Sequence, residues 1–396
     1  MPRLPLLAIS ALVLSALLLI GPGTAPAVAT AVRQDPAPAP DWESSGLTGP
    51  VRRIFVPSSG ALLAGTATAL VRSDDGGTPP SWRPLTGPGQ ALNEPTGVIG
   101  VDPTNHDMLY SSSADGLVKS LDGGQSWSVI LPTAEYAHAI AVSPANHDVV
   151  YVGLGKRGDP GRFRYLRSKD GGASWEQTEQ HLYSLCGWSV PIRLPHPTDE
   201  NRLFRSADCR SGANFYDHLR QSLDQGASWT TLFGVGRAGI SNRDSNHPQY
   251  AYPTDMVGGQ GAEPGRFYLV THRDSRVGRG TSLFRSDDDA QAWTEVFRSR
   301  PATEPDGAII QLGGLTYDLA RPDTVYLGRN VYAPSTDASR PLTFVSAGVL
   351  MSADGGSTWT ELGRQDLPEI YDLALGVDRR NLYVADKEDL RRLRLE

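Results

Sequence analysis

Six aspartates recur in this sequence inside one short pattern, Ser-x-Asp-x-Gly-x-x-Trp, and aspartate is a side chain that can serve as an acid, a base or a metal ligand. Successive copies are separated by 47 to 66 residues. An active site needs its acidic groups in one place, so near-identical copies spread along the chain favour a structural role over catalysis or metal binding. The six aspartates are Asp75, Asp122, Asp170, Asp224, Asp288 and Asp354.

The residue types of the pattern suit a hairpin turn. The short carboxylate can accept hydrogen bonds from backbone N–H groups, glycine supplies a positive φ, and serine can tie back the opposite arm. Tryptophan then begins the outgoing strand and can bury its ring against the next repeat. Two copies depart from the pattern: an insertion precedes Trp82, and Ala290 stands where glycine is expected.

Short apolar segments bounded by turn residues recur between the copies, which predicts a four-stranded antiparallel sheet for each repeat. His106 and His147 fall at equivalent turn positions, so we interpret them as turn residues and not as metal ligands. In one repeat the predicted strands are Gly97–Val101, Met108–Ser112 and Gly116–Ser120.

The pattern resembles the Asp box, or bacterial neuraminidase repeat, which implies a β-propeller. Six boxes end in tryptophan, and Trp42 begins a similar segment without a box. The last predicted strands, Ile370–Val377, Asn381–Ala385 and Leu390–Leu395, leave one blade a strand short, and the segment Asp41–Leu47 can supply it. We therefore expect an all-β propeller of seven blades over residues 41–396, closed by its N-terminal strand.

Two functions from different classes fit the resemblance. Sialidases share the repeat, but Arg53-Ile-Phe matches their opening Arg-Ile-Pro only in part, and their blade number is six. Tyr371, with Glu369 and Asp372, begins a channel strand and could supply catalytic groups or simply line the channel. The xyloglucan-degrading relatives join two propellers, whereas one is expected here. The layout is closest to photosystem II assembly factor-like repeat proteins, which favours a binding scaffold; a glycoside hydrolase is the alternative.

The expected working face carries the long connections between second and third strands. These are Gly153–Arg164, Ser206–His218, Thr271–Thr281 and Gly328–Gly348, which together have an excess of five positive charges in a chain of net charge −7. Arginine suits carboxylate partners, which predicts a protein or acidic glycan ligand; solubility of the loops is the equal alternative. The candidate residues are Arg157, Arg162, Arg164, Arg273, Arg276 and Arg329.

Charge and composition exclude some classes. An acidic chain lacks the basic footprint that nucleic acid requires. No metal or cofactor is expected, since the sequence has no zinc spacing or phosphate loop. If the first two strands of blade four form a hairpin around Pro195–Asn201, paired residue numbers sum to 395, which would place Cys186 opposite Cys209 and permit a disulfide; two free thiols are the alternative.

The N-terminal residues concern targeting. An apolar run from Leu4 to Ile20 is followed by small residues such as Ala27-Val-Ala, which predicts a signal peptide over residues 1–31. An uncleaved membrane anchor is the alternative. Residues 32–40 are rich in proline and alanine and predict a stiff linker. The propeller is therefore expected outside the cytoplasm, secreted or at the cell envelope.

Overall fold

The computed structural model describes residues 41–395 except for a set of internal segments, and every regular element among them is a β-strand. They form seven four-stranded antiparallel sheets. No helix long and apolar enough to cross a bilayer occurs among these described residues. The expected signal segment lies outside them, as do the gaps at 57–59, 67–68, 78–80, 86–98, 103–104, 106, 157–158, 183–192, 212–213, 235–250, 260, 274–279, 300–307 and 336–341.

The sheets follow the chain as seven blades, each entered at its inner strand. Blade one holds β2 Val51–Phe55, β3 Leu62–Thr66, β4 Leu70–Ser73 and β5 Arg83–Leu85; blade two β6 Ile99–Val101, β7 Leu109–Ser113, β8 Gly116–Ser120 and β9 Ser128–Pro132; blade three β10 Tyr136–Val142, β11 Val150–Lys156, β12 Asp159–Ser168 and β13 Glu176–Leu182; blade four β14 Arg193–Pro195, β15 Leu203–Ser211, β16 Asn214–Ser222 and β17 Thr230–Gly234.

Blade five holds β18 Ala251–Gly258, β19 Phe267–Arg273, β20 Gly280–Ser286 and β21 Thr294–Ser299; blade six β22 Ile309–Asp318, β23 Arg321–Pro334, β24 Leu342–Ser352 and β25 Thr360–Leu367; blade seven β26 Ile370–Leu375, β27 Asn381–Asp386, β28 Asp389–Arg394 and, from the other end of the chain, β1 Glu43–Thr48. The expected seven-bladed propeller is confirmed.

Ring closure takes place in blade seven. Strand β1 pairs antiparallel with β28, with Glu43 opposite Arg392 and Ser44 opposite Arg391. The Arg392 guanidinium donates to the Glu43 carboxylate at 2.6 Å. Trp42 is 8% exposed and packs in a cluster with Leu393 and other residues of blades six and seven. The N-terminal segment thus supplies the missing outer strand, as the sequence predicted.

Apolar side chains between neighbouring blades form the core. Trp127, at the end of the box of blade two, packs against Leu63, Leu70 and Leu85 of blade one. Leu63 and Leu70 are fully buried and Leu85 is 1% exposed. Each box tryptophan therefore extends a contact surface between blades, which is the main source of apolar burial in a ring of separate sheets.

Basic side chains form a second connection between blades. The residue just before a box serine donates to a backbone carbonyl in the box of the next blade, at 2.6 to 2.9 Å. We call these contacts the inter-blade latches. They are Arg72 to Gly123, Lys119 to Gly171, Arg167 to Gln225 and Arg285 to Gly355.

Two expectations about connections were wrong. The segments expected as long loops in blades three to six hold long strand pairs: the β15–β16 pairing, for example, continues to Ser211 opposite Asn214. These strands are joined by backbone hydrogen bonds, which need no alternating apolar pattern. The predicted loops Gly153–Arg164, Ser206–His218, Thr271–Thr281 and Gly328–Gly348 thus extend the paired strands of their blades.

The expected register of blade four was also wrong where the structure describes it. Leu194 pairs with Phe204, so paired numbers sum to 398 and not 395. The hairpin centres near Asp199 because the turn is closed by the His196 N–H, which donates to the Arg202 carbonyl at 2.9 Å. Cys186 and the side chain of Cys209 lie outside the described parts, so the disulfide stays a prediction.

Ring closure can be tested by truncation. Removing residues 1–48 should lower the melting temperature of the whole propeller, since the edge of β28 would lose its partner. Removing residues 1–40 is the matched control and should leave thermal unfolding unchanged, because β1 is retained. Equal melting temperatures for the two truncated proteins would show that β1 does not stabilise the ring.

Candidate functional site at the mouth of the channel

The box aspartates face their own turns. In blade two, Asp122 Oδ1 accepts the Ser120 hydroxyl and the Ser126 N–H, both at 2.8 Å, and Oδ2 accepts the Ser126 hydroxyl at 2.6 Å. The Gly124 N–H donates to Ser120 Oγ at 2.8 Å, with φ of 86° at Gly124. The boxes of Asp170, Asp224 and Asp354 repeat this arrangement.

The divergent box of blade five adds a connection between blades. Ala290 takes the glycine position with φ of 63° and still donates its N–H to Ser286 Oγ at 2.9 Å. Asp289 also has a positive φ, 64°, and its carboxylate accepts a hydrogen bond from the Arg202 guanidinium and lies 2.8 Å from His196 Nε2. Arg202 and His196 belong to blade four, so the unusual backbone at Asp289 is accompanied by an ion pair across the interface.

Hydrogen bonds from the turn keep the box carboxylates ionised. Donation by Ser126 lowers the pKa of Asp122 to about 2, and equivalent donors lower the pKa of Asp170, Asp224 and Asp354 to about 2. The boxes lie around the rim, and no group of three His, Cys, Asp or Glu side chains suited to a metal occurs among the described residues. This geometry supports the proposal that the box aspartates are structural.

A box substitution tests that proposal. Asp224→Ala removes three hydrogen bonds of an exposed turn and should reduce the free energy of unfolding by about 1 kcal/mol, since exposed donors can bond to water instead. Asp115→Ala, at an exposed turn outside the boxes, is the matched control and should be nearly neutral. Chemical denaturation of both variants measures the difference. A fully stable Asp224→Ala protein would contradict a structural role.

Of the six candidate arginines, two have described side chains, and both are in ion pairs. Arg164 Nη2 lies 2.6 Å from Glu135, and Arg329 Nη2 lies 3.0 Å from Glu361. Arg162 and Arg273 lie in strands β12 and β19, and nothing is described of their side chains. Arg157 and Arg276 fall outside the described residues. Arg164 and Arg329 belong to different blades, and each forms an ion pair with a different glutamate.

The extended hairpins all lie at one end of the propeller. In an antiparallel blade the turn between second and third strands lies where the inner strand begins, and the box lies at the opposite end. The pairs β11–β12, β15–β16, β19–β20 and β23–β24 have strands of 7 to 14 residues, whereas those of blades one, two and seven have 4 to 6. Blades three to six therefore form a raised wall on one side of the channel mouth.

Aromatic and charged groups meet at this mouth between blades six, seven and one. The Tyr332 hydroxyl donates to Glu369 Oε1 at 2.5 Å. The Arg52 guanidinium lies over the Tyr371 ring, 5.5 Å from its centroid. Burial and the Glu369 charge raise the pKa of Tyr332 and of Tyr371, so both hydroxyls stay protonated. We call Arg52, Tyr332, Glu369 and Tyr371 the mouth cluster.

A second group of charges lies deeper in the channel. Arg53 Nη1 is 4.0 Å from Asp372 Oδ2, which also accepts the Ile54 N–H at 3.0 Å. Asp255 of blade five interacts with both. Burial raises the pKa of Asp372 to about 6 against the opposing effect of Arg53, and burial also raises the pKa of Asp255. Arg53, Asp372 and Asp255 come from the inner strands β2, β26 and β18, which line the channel.

The start of β26 is held by the Asn330 side chain and by close packing against two glycines. Buried Asn330 donates to the Ile370 carbonyl and accepts the Ile370 N–H, both at 2.8 Å. A side chain at Gly313 would put a Cβ 2.1 Å from that carbonyl, and one at Gly314 would meet the Leu373 N–H at 2.8 Å. These residues form the β26 clamp, and Glu369 and Tyr371 flank the residue that it holds.

Sequence reasoning found part of this arrangement. The sequence predicts Tyr371, Glu369 and Asp372 at the start of a channel strand, and the structure places Glu369 and Tyr371 at the mouth and Asp372 deeper in the channel. Tyr332 lay inside a segment expected to be a loop, and nothing in the sequence pairs it with Glu369, 37 residues away. Asp255 was not predicted as a channel residue either. The sequence feature that could have indicated it is a single aspartate within an apolar strand, next to Met256.

The channel charges predict a specific pH dependence of stability. Asp372 has a pKa of about 6 when folded and an ordinary value of 3.8, so the folded protein holds a proton that the unfolded chain has lost. Its contribution therefore falls as pH rises from about 4 to about 6. Asp372→Asn should flatten this part of a plot of melting temperature against pH. The box aspartates have a lowered pKa, so their contribution to stability is lost as pH falls below about 4. Identical slopes for wild type and variant would refute the assignment.

Comparisons with known proteins agree on the fold. No family model matches the sequence. No curated protein matches it either. Among solved structures, the GH74 xyloglucanase from Xanthomonas campestris aligns with a TM-score of 0.60 and 18% identity, over 89% of this chain and 53% of that one. The chain thus spans about half the length of that enzyme.

Two further structures are similar at lower identity. An oligogalacturonate lyase in complex with manganese has a TM-score of 0.56 and 12% identity, over 91% of this chain and 97% of that one. An extracellular domain from B. thetaiotaomicron has a TM-score of 0.52 and 9% identity, over 90% and 40% respectively. At such identities the likeness shows a β-propeller and no particular function.

Proposed function

We propose that this chain is an exported β-propeller that acts as a binding scaffold, outside the cell or at its envelope. The observation that carries the proposal is the raised wall of four hairpins beside the channel mouth. Extended hairpins at one end of the propeller add surface there, which is typical of a recognition face on a rigid scaffold. The likeness to an extracellular domain also supports this location.

The ligand of this face is a protein segment or a glycan with acidic groups. The hairpins carry an excess of positive charge in an acidic chain. Arg164 is paired with Glu135, and Arg329 is paired with Glu361. These ion pairs reduce the positive charge that the two arginines present to a ligand. Arg157 and Arg276, which follow strands β11 and β19 in the chain, are therefore the better residues to change, and their substitution leaves the described ion pairs intact.

Charge reversal tests this role. Arg157→Glu combined with Arg276→Glu should weaken capture of an acidic partner from envelope extract or from an acidic glycan array, and the remaining binding should fall with added salt. Exposed contacts contribute about 0.2 to 1 kcal/mol each, so a loss of roughly two- to thirtyfold is expected for the pair. Affinity is measured by surface plasmon resonance at two ionic strengths.

The matched control reverses two exposed charges on the box face. Lys169→Glu with Arg379→Glu changes the net charge equally, and the two side chains are 57% and 48% exposed. This control should leave binding unchanged. If both double variants lose affinity equally, the effect is one of net charge; if binding ignores salt and both variants, the hairpin arginines are solvated surface.

Glycoside hydrolysis is the second candidate, and Asp372 favours it. A carboxylic acid with a pKa of about 6 in a protected channel can donate a proton near neutral pH. Two similar structures are named for activity on carbohydrates. Release of reducing sugar from a panel of polysaccharides, lost in Asp372→Asn and in Glu369→Gln, would establish it. The absence of any release by the wild type would leave the scaffold function.

A further inference from the structure

We propose that the mouth cluster binds an organic ammonium group, either a small quaternary amine or the side chain of a lysine on a partner protein. This goes beyond the scaffold function above, because the ligand is cationic and its contacts include none of the six candidate arginines. The argument rests on the rings, the carboxylate and the internal cation that meet at the mouth.

The cluster combines aromatic faces with one carboxylate. Glu369 lies between Tyr332, whose hydroxyl it accepts, and Tyr371, whose pKa its charge raises. The Phe344 ring packs edge-on against Tyr332, with centroids 5.8 Å apart. All four side chains are partly exposed. Aromatic rings beside a carboxylate attract a desolvated ammonium group through the ring quadrupole and direct charge.

The protein already places a cation of its own in this setting. Arg52 is exposed, and its guanidinium lies 5.5 Å from the centroid of the Tyr371 ring. The ring is therefore accessible to a positive group from the solvent side. Arg52 acts in this arrangement as an internal competitor that an incoming ammonium group displaces.

Two charges favour a cation at the mouth. Glu369 lies beside the rings as a carboxylate, and the entire chain has a net charge of −7. An anion would meet Glu369 directly. A cation gains from both the local carboxylate and the field of the acidic chain.

The β26 clamp gives the cluster a fixed geometry. Asn330 bonds both polar backbone groups of Ile370, and Gly313 admits that backbone at a distance that no side chain would allow. Glu369 and Tyr371 are held on either side of it. Binding therefore costs little ordering of the receptor, which is what a small ligand with few contacts requires.

The experiment uses choline as the cationic probe and 3,3-dimethylbutan-1-ol as its uncharged isostere. Each compound is titrated into the complete propeller, and binding is followed by NMR. Choline should bind and the alcohol should not. Tyr371→Leu should weaken choline binding roughly two- to fivefold, the range of an exposed cation–π contact, and Glu369→Gln should weaken it by a similar factor. N-acetyl-lysine amide, titrated in parallel, distinguishes a lysine source from a small amine.

The direction in which Arg52→Ala changes choline affinity is the most informative result. Removing an internal competitor should tighten choline binding by roughly two- to fivefold, whereas removing a ligand contact would weaken it. Arg379→Ala, on the box face, is the matched control and should change nothing. Melting temperatures confirm that each variant is folded.

Three results would overturn the proposal: no choline binding by the wild type, equal binding of the alcohol, or weaker binding by Arg52→Ala. The outcome is independent of the scaffold function. Arg157→Glu with Arg276→Glu should leave choline affinity unchanged even where it abolishes capture of an acidic partner.

Discussion

The whole propeller depends on one antiparallel pairing, that of β1 with β28. A ring of sheets is held by contacts between neighbours, so an incomplete blade weakens two interfaces at once. Trp42 and the Glu43–Arg392 ion pair attach the N-terminal strand to blade seven, whose inner strand β26 carries the groups of the channel mouth. Tyr371 and the closing strand therefore belong to the same blade, and loss of closure would disturb the position of Glu369 and Tyr371.

The inter-blade latches show how a repeat that looks local in sequence operates across the ring. The Arg72 guanidinium approaches Gly123 so closely that a Cβ there would lie 2.3 Å from Nη1, whereas Gln225 takes the equivalent position with φ of 56° and still accepts the Arg167 latch. In blade four, Gln221 precedes the box serine, and Arg202 donates instead to the Asp289 carbonyl of the next box at 2.7 Å. The divergent box and the replaced latch thus belong to one interface.

Much of the architecture could be predicted from the sequence, because the repeats carry their own turn chemistry. Spacing of Asp122 and its equivalents gave the blades, and Trp42 indicated the closing strand. The hairpins of blades three to six were wrongly expected to be loops, because their polar segments show no alternation of apolar and polar residues. The pairing of Tyr332 with Glu369 and the approach of Asp255 to Arg53 depend on how blades are arranged around the channel, which no local pattern encodes.

Closure by β1 also sets an order of events during folding. In synthesis this strand emerges before every blade, yet its partner β28 is the last strand to appear, with Glu43 and Arg392 separated by 349 positions. Blades one to six can form from local hairpins, whereas the final pairing closes a loop of nearly the full chain length and is expected to be slow. Until then β28 presents an open edge, so the interval before closure is when the chain is most exposed to aggregation.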